Sequence, residues 1–329
     1  MKLPRKMSLE LTSKCNFRCP YCYCVWHEFP ELGKNELTTE EWIRVLEKCA
    51  ADGVRDVTFT GGEVFLRKDL WEILGAARQI LPRTRLSIFT NASLMGEEDL
   101  KRLKGMKISV ATSLQGLGSY GAMTGTRRSA RGVLEALEAG REMGWPMAVS
   151  MTVTKANVGE AEAMFSAAVL SGASGIVMGA MMAEGRGKAH LDLMLEAEEW
   201  EGVKARIRGM KDLGVGYSFC DERVCTCREQ PRQILEKWGG AGQILLPQNT
   251  QKGAADLPRH TESTEKNSEF SVIENRTKRC PAGKEFGVIG VDGKFRECLH
   301  TVARREVGWE KFSVARAKKG EKGGESKKS

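Results

Sequence analysis

The sequence MSLELTSKCNFRCPYC, residues 7–22, decides the expected fold of this chain, because a short strand runs directly into a loop that holds three cysteines. The strand covers residues 7–12, and the loop behind it carries Cys15, Cys19 and Cys22. Active sites of β/α barrels gather at the carboxyl ends of the strands. The loop is therefore the first candidate site for chemistry.

Five more β-rich runs follow the first, and helical patterns separate them. Most of these runs are apolar on both alternations, as expected of strands that are buried on both faces of a parallel sheet. The first helical pattern begins with a capping box, with Thr38 as N-cap and Glu41 as the third helical residue. This alternation predicts the α/β class and a partial (β/α)6 TIM-like barrel. The strands are expected at residues 7–12, 56–60, 86–90, 108–113, 148–154 and 175–182, and the later helices at residues 69–81, 97–104, 129–143 and 158–170.

The rest of the chain carries less regular structure. A long amphipathic helix is expected over residues 193–213, and a β-hairpin over residues 286–298, with its turn at Asp292-Gly293. The segment between them is polar and rich in turn formers. We therefore divide the chain into a (β/α)6 core (1–190), a bridging helix with a cysteine-rich loop (191–235), a polar linker or insertion (236–278), a small hairpin-containing domain (279–308) and a disordered basic tail (309–329).

The composition indicates a protein that binds a metal through sulfur. The 329 residues are 41% hydrophobic and include ten cysteines but only four histidines. The chain begins without the apolar run of a signal peptide, and it contains no run of the roughly 18 apolar residues that a membrane span needs. We therefore expect a cytoplasmic protein in which thiols stay reduced and ligate metal. Ligation by sulfur alone favours an iron–sulfur cluster or a Zn(Cys)4 site.

The net charge of +8 is not by itself evidence for nucleic-acid binding. Residues 311–329 hold seven Lys and Arg against two Glu, so five of the eight charges lie there. This segment is rich in Gly, Ser and Lys and is expected to be disordered. It is interpreted as a solubility tail, and the alternative is a tether for an acidic partner or nucleic acid.

The number of thiols available to a metal in the cysteine loop depends on Cys24, and two neighbouring features bear on what the site could bind. Three thiolates on a cubane cluster leave one iron open, which distinguishes a reactive centre from a structural one. Cys24 is a possible fourth ligand, and it would close that site. Thr60-Gly61-Gly62-Glu63 ends the second strand at the same mouth, where the glycines let backbone approach a ligand and the carboxylate can accept hydrogen bonds from an ammonium group. Tyr21 lies where its ring could cover an adenine.

CNFRCPYC, followed 39 residues after Cys22 by GGE, resembles the radical S-adenosylmethionine (SAM) superfamily over about residues 7–187. The resemblance implies that Cys15, Cys19 and Cys22 hold a [4Fe–4S] cluster whose open iron binds the methionine part of SAM. One electron from a low-potential donor such as ferredoxin or flavodoxin then leads to cleavage of SAM. The resulting 5′-deoxyadenosyl radical abstracts a hydrogen atom from the substrate.

Further cofactor contacts follow from the same resemblance. Gly61, Gly62 and Glu63 match the element that orients the methionine amino group. Asn91 and Ser113 end the third and fourth strands, where side chains often contact the cofactor, although both also suit a turn at the end of a strand.

Other segments match the family less well. The family commonly has aspartate where Gln115 stands, and an arginine near residues 123–125, where this chain offers arginines only at 127–128. Asn157 and residues 185–187 (Gly-Arg-Gly) resemble family segments, and we interpret them as turn and helix-cap residues.

A second group of cysteines resembles the SPASM and twitch extensions, which bind auxiliary iron–sulfur clusters. Cys280 in Cys-Pro-Ala-Gly and Cys298 frame the predicted hairpin. The resemblance implies at most one auxiliary [4Fe–4S] cluster, with further ligands from Cys220, Cys225 and Cys227. Zinc on the same thiols, or thiols that hold no metal, are the alternatives.

The resemblance also implies a class of substrate. The extension most often accompanies enzymes that modify peptides or proteins, such as sulfatase maturases and maturases of ribosomally made peptides, so a peptide or protein substrate is the first expectation. A step in the synthesis of a small-molecule cofactor (molybdenum cofactor, haem or a quinone cofactor) is the alternative. A cysteine-rich zinc protein that binds nucleic acid without catalysis is the reading from another class. Zinc in the purified protein and salt-dependent binding through the tail would distinguish it.

Overall fold

The computed structural model describes residues 1–210, 214–220 and 284–299. Its strands are β1 (Lys6–Thr12), β2 (Asp56–Gly61), β3 (Arg85–Thr90), β4 (Ile108–Ser113), β5 (Ala148–Val153), β6 (Gly175–Ala180), β7 (Gly216–Cys220), β8 (Phe286–Ile289) and β9 (Phe295–Arg296). Its helices are α1 (Thr39–Ala51), α2 (Leu70–Ile80), α3 (Glu97–Gly105), α4 (Tyr120–Thr124), α5 (Arg131–Glu142), α6 (Ala161–Leu170) and α7 (Ala197–Gly209).

The sheet confirms the predicted alternation of strands and helices. Its order is β7-β6-β5-β4-β3-β2-β1-β8-β9, and neighbours from β1 to β7 all pair in parallel. Each predicted strand lies within two residues of an observed one. The capping box is present, with the Glu41 N–H donating to Thr38 Oγ1 at 3.3 Å and the Thr38 N–H to Glu41 Oε2 at 2.8 Å. The architecture is the predicted partial barrel.

The two faces of the strands differ in side-chain size. On β2, Val57 and Phe59 are fully buried in the main apolar core, together with residues of the helices such as Trp42. The alternate residues Thr58 and Thr60 line a cavity inside the barrel. On β2, period-two alternation therefore packs the large apolar groups against the helices and places the polar threonines at the cavity.

A seventh parallel strand was missed by the sequence analysis. β7 pairs with β6 at one edge of the sheet, and the helix before it is shorter than predicted, ending at Gly209 rather than at residue 213. The strand pattern is visible in the sequence, because Val215, Tyr217 and Phe219 alternate with small residues. The crossover through α7 places Cys220 at the carboxyl end of this edge strand.

The predicted hairpin is present and joins the barrel's own sheet. β8 pairs in parallel with β1, and β9 pairs antiparallel with β8 across a turn where Gly293 has φ +74°. The buried side chain of Arg296 forms an ion pair with Glu10 of β1, which is also buried. The hairpin is thus held to β1 by both backbone and side chain, while the domain boundaries we proposed stay predictions.

Several calls from the sequence lie outside the described residues. They are Cys225, Cys227 and Cys280, the polar linker over residues 236–278 and the basic tail over residues 309–329. Among the helices that the structure describes, none is both long enough and apolar enough to cross a membrane.

Candidate functional site

A cavity of about 310 Å³ inside the barrel brings most of the predicted site residues together. Cys15, Cys19 and Cys22 line it from the loop after β1. Other predicted residues that line it are Tyr21, Gly61, Gly62, Asn91, Ser113 and Cys220. Glu63 is not among the lining residues.

The two glycines at the end of β2 support the cysteine loop through close backbone contact. The Gly62 N–H donates to the Thr12 carbonyl oxygen at 2.7 Å, and the Glu63 N–H donates to that of Lys14 at 2.7 Å. A β-carbon added at Gly62 would lie 2.2 Å from the Lys14 oxygen, and Gly61 has φ +140°. Only glycine permits this approach, so these residues fix the course of the chain into the loop.

The carboxylate of Glu63 is directed into the protein. It is fully buried and accepts hydrogen bonds from Thr90 Oγ1 at 2.7 Å, the Asn91 N–H at 2.8 Å and the Phe65 N–H at 3.1 Å. Burial raises the pKa of Glu63, and these hydrogen bonds oppose that rise. In this structure the side chain joins the ends of β2 and β3, and its contact with a cofactor stays a prediction.

Asn91 connects the end of β3 to the cysteine loop. Its amide nitrogen donates to Asn16 Oδ1 at 2.9 Å, and Asn16 in turn donates to Ser93 Oγ at 2.8 Å. Asn91 Oδ1 accepts from the Ser93 N–H at 2.9 Å, which is the strand-end turn that the sequence also allowed. Asn91 therefore makes a turn and also faces the cavity.

The three thiols differ in their surroundings. Burial raises the pKa of Cys19 to about 12, while a hydrogen bond with Tyr21 opposes the rise. Burial also raises the pKa of Cys15, which accepts a hydrogen bond from the Phe17 N–H at 3.4 Å. A metal that binds these thiols must displace their protons, so loading is expected to depend on pH.

Cys24 lies beside Cys22 in an apolar environment. A hydrogen bond from the Cys24 thiol lowers the pKa of Cys22 well below its ordinary value, with a smaller contribution from His27. Cys24 itself is 7% exposed and packs in a small apolar cluster with Val25, Trp26 and Val291. The Cys24 thiol therefore lies beside that of Cys22, and its place as a possible fourth ligand stays a prediction.

The segment after β6 contacts the cysteine loop. From the sequence, we interpreted its residues 185–187 only as turn and helix-cap residues. The Arg186 N–H donates to the Cys22 carbonyl oxygen at 2.8 Å, and its guanidinium group donates to that of Cys19 at 3.0 Å. The guanidinium group also lies 3.3 Å from His27 Nδ1. A β-carbon at Gly185 would come within 2.5 Å of the Cys22 oxygen. Arg186 lines the cavity, so the segment is part of the site and not only a turn.

A second segment, after β4, holds the other side of the loop. The Arg18 N–H donates to the Thr124 carbonyl oxygen at 2.9 Å, and Cys19 Sγ lies 3.9 Å from the same oxygen. Gly125 has φ +63°, and a β-carbon there would come within 2.6 Å of the Arg18 oxygen. Residues 123–125 are therefore in direct contact with the cysteine loop.

Gln115 and Asn157 form internal contacts. The Thr152 N–H donates to Gln115 Oε1 at 2.6 Å, and Asn157 donates to the carbonyl oxygens of Gln115 and Thr152. Asn157 also accepts from the Thr154 N–H at 2.7 Å, as a turn residue does. Gln115 still lines the cavity, whereas Asn157 is not among the lining residues.

The described members of the second cysteine group come from opposite edges of the sheet. Cys220 ends β7 and lines the cavity. Cys298 follows β9, and the next residue, Leu299, lines the same cavity. Residues from both edges of the sheet therefore line the cavity that the first cysteine group also borders.

The donor set at the mouth suits an iron–sulfur cluster. Three thiols and Arg186 border one cavity, which polar strand residues such as Thr60 and apolar ones such as Phe89 also line. Among the described residues, no three His, Cys, Asp or Glu side chains group tightly enough for a single metal ion. Thiolates are the ligands that such clusters use, and a nearby cation favours their ionised form.

Comparisons with known proteins agree with this reading. The model of the radical SAM superfamily matches residues 9–168. The chain is similar to the sporulation killing factor maturation protein SkfB of Bacillus subtilis, with 31% identity over 48% of this chain and 38% of the relative, so it spans well under half the length of that protein. It is also similar to the PqqA peptide cyclase of Granulibacter bethesdensis, with 26% identity over 93% of this chain and 81% of the relative.

The fold has solved counterparts. The crystal structure of Streptococcus suis SuiB bound to precursor peptide SuiA matches 94% of this chain and 64% of that chain, with a TM-score of 0.64 and 17% identity. Sequence motif, strand order and family model thus point to one superfamily. Residues 9–168 therefore form a radical SAM domain, and this family implies a [4Fe–4S] cluster and SAM as cofactors.

Proposed function

We propose that this chain is an enzyme that cleaves SAM reductively and abstracts a hydrogen atom from a peptide or protein substrate. The observation that carries the proposal is the convergence of Cys15, Cys19 and Cys22 on one cavity inside a parallel barrel. When bound, a cluster with one open iron supplies the electron that splits SAM into methionine and a 5′-deoxyadenosyl radical. The segments after β4 and β6 hold the cysteine loop at the cavity through backbone contacts with Arg18 and Cys22.

Each predicted site residue has a role in this proposal. Cys15, Cys19 and Cys22 hold the cluster, and Gly61 and Gly62 set the backbone that contacts SAM. Three further residues extend the cofactor site, because they border the same cavity: Tyr21, Asn91 and Ser113. Glu63 supports the site by fixing the ends of β2 and β3, in addition to the contact with the methionine ammonium group expected from the sequence.

A peptide substrate is supported by the relatives. SkfB is named as the maturation protein of a killing factor, the Granulibacter protein as a cyclase of the peptide PqqA, and SuiB was crystallised with a precursor peptide. The match to the PqqA peptide cyclase extends over 93% of this chain. A small-molecule substrate is the alternative, and it would be favoured if the enzyme modified no peptide.

An auxiliary [4Fe–4S] cluster is part of the proposal. Cys220 and the residue after Cys298 border one cavity, so the two sheet edges approach each other. The remaining proposed ligands, Cys225, Cys227 and Cys280, lie outside the described residues.

The test is anaerobic incubation of the reduced, iron-loaded protein with SAM and the short peptides encoded near its gene. We expect 5′-deoxyadenosine, and a mass change in one peptide that depends on SAM. The Cys19→Ala variant should give neither product. Formation of 5′-deoxyadenosine without any peptide change would point to a small-molecule substrate, and a purified protein that contains zinc and no iron would contradict the proposal.

A further inference from the structure

The outer side of the cysteine loop carries three arginines, which we call the arginine patch: Arg18, Arg127 and Arg128. Arg18 lies between two of the proposed ligands, and the other two follow Gly125 by two and three positions. The contact between Gly125 and the Arg18 backbone brings these segments together, with the Arg18 N–H donating to the Thr124 oxygen at 2.9 Å. The three arginines therefore lie on the two segments that meet at this contact.

The arginine patch is exposed and uncompensated. All three side chains are exposed, and within the described part of the chain none of them forms an ion pair or a side-chain hydrogen bond. The carboxylate of Glu160, which lies near the start of α4, does not pair with these arginines. It accepts hydrogen bonds from the Leu117 and Ser119 N–H groups at 2.7 and 3.0 Å. A surface of one charge sign without internal partners attracts macromolecules of the opposite sign.

The patch adjoins the proposed cluster. Cys19 follows Arg18 directly in the chain, and Cys19 Sγ lies 3.9 Å from the oxygen that accepts the Arg18 N–H. Burial raises the pKa of Tyr120 to about 12, Cys19 adds to the rise, and Arg128 opposes it. A protein that covers the patch therefore comes close to a ligand of the cluster.

A second basic surface lies at the opposite end of the barrel and lacks this proximity. It surrounds a hollow at the amino ends of β1, β2 and β3 and includes Arg5, Arg55, Arg83 and Lys284. A strand of six residues is about 20 Å long at roughly 3.3 Å per residue, so this surface is that much further from the thiols. Electron transfer falls steeply with distance, which favours the patch beside Cys19.

We propose that the arginine patch is the docking surface for an acidic one-electron redox protein that reduces the cluster. The inference rests on the proposed function, since it needs the cluster on Cys15, Cys19 and Cys22. In this step the partner is oxidised by one electron and the cluster is reduced by one, from the 2+ to the 1+ state, and no bond is made or broken. An acidic peptide substrate is the competing occupant.

The test compares two charge-reversed variants of the iron-loaded enzyme. Arg127→Glu combined with Arg128→Glu alters the patch, and Arg55→Glu combined with Arg83→Glu makes the same charge change at the opposite end. Stopped-flow absorbance follows cluster reduction by reduced flavodoxin, and separately by reduced [2Fe–2S] ferredoxin, without SAM or substrate. We expect the patch variant to react at least tenfold more slowly in about 50 mM salt, the other variant within twofold of wild type, and the difference to vanish in about 0.5 M salt.

Photoreduction with deazariboflavin, which needs no docking surface, should proceed equally in all three proteins. Equal rates with the redox proteins, or equal slowing in both variants, would overturn the inference. So would slow deazariboflavin reduction of the patch variant, since this would show a damaged cluster. A patch variant that is reduced normally but no longer modifies an acidic peptide would assign the surface to the substrate. A wild-type protein without iron would instead contradict the proposed function.

Discussion

The two groups of cysteines differ in how the chain brings their thiols together. The first group lies on one loop of eight residues, and backbone contacts from β2 and from the segments after β4 and β6 hold that loop in place. The described members of the second group, Cys220 and Cys298, come from strands at opposite edges of the sheet. For the first group the fold only has to hold one loop in place, whereas for the second it also has to bring two edges of the sheet together. The first should therefore tolerate changes elsewhere in the chain better than the second.

The largest expected effect is on the first group. Cys19→Ala removes one of three proposed ligands, so we expect 5′-deoxyadenosine formation to fall at least 100-fold and iron to be lost. Cys49→Ala is the matched control, because Cys49 is a fully buried core residue of α1 that is remote from the loop. It should keep iron and activity at a cost of about 1 kcal/mol in stability. Full activity of the Cys19→Ala variant would show that the first group does not hold the reactive cluster.

The next effect tests the backbone support of the loop. In Gly62→Ala the new β-carbon would lie 2.2 Å from the Lys14 oxygen, so the loop must move. We expect iron content to fall severalfold, measured per chain after identical reconstitution. Gly75→Ala is the control, since a β-carbon on this α2 residue meets nothing within 4 Å, and it should raise the free energy of unfolding by up to about 1 kcal/mol. Equal iron in both variants would mean that the glycines do not position the loop.

A smaller effect is expected from the second group. Cys298→Ala should lower the iron content by about four atoms per chain and leave SAM cleavage without substrate within about fivefold of wild type. The reason is that the first site is built from other elements. Unchanged iron would contradict the auxiliary cluster, and loss of all iron would contradict the independence of the two sites.

The smallest effect is expected at Cys24. Its thiol donates a hydrogen bond to Cys22 and packs against Trp26 and Val291, so we expect Cys24→Ala to retain iron and to cleave SAM within about twofold of wild type. Cys22→Ala, two residues away, should abolish both. If Cys24→Ala instead raised reactivity or removed the cluster, Cys24 would be the fourth ligand.

Features that depend on adjacent residues were predictable from the sequence. The six strands, the capping box at Thr38 and the hairpin turn at Asp292-Gly293 each follow from residues close together in the chain. The convergence of the cysteine loop and Gly61-Gly62 also followed, because both lie at carboxyl ends of parallel strands.

Features that depend on the distant course of the chain were not predictable. Arg186 looked like a turn residue because its contacts with Cys19 and Cys22 span more than 160 positions. The direction of the Glu63 side chain is set by Thr90 and Asn91 on the neighbouring strand. The pairing of the hairpin with β1 likewise follows from tertiary packing, since nothing in its own sequence selects that edge. Only the strand β7 had a local signal that was overlooked.

The central claim is that the thiols of Cys15, Cys19 and Cys22 hold a cluster with one open iron. The most direct measurement is the electron paramagnetic resonance spectrum of the reduced, iron-loaded Cys298→Ala variant, recorded with and without SAM. The account predicts a signal from one reduced [4Fe–4S] cluster whose g-values shift when SAM is added. A signal that SAM leaves unchanged, or a protein that holds zinc and gives no signal, would contradict it.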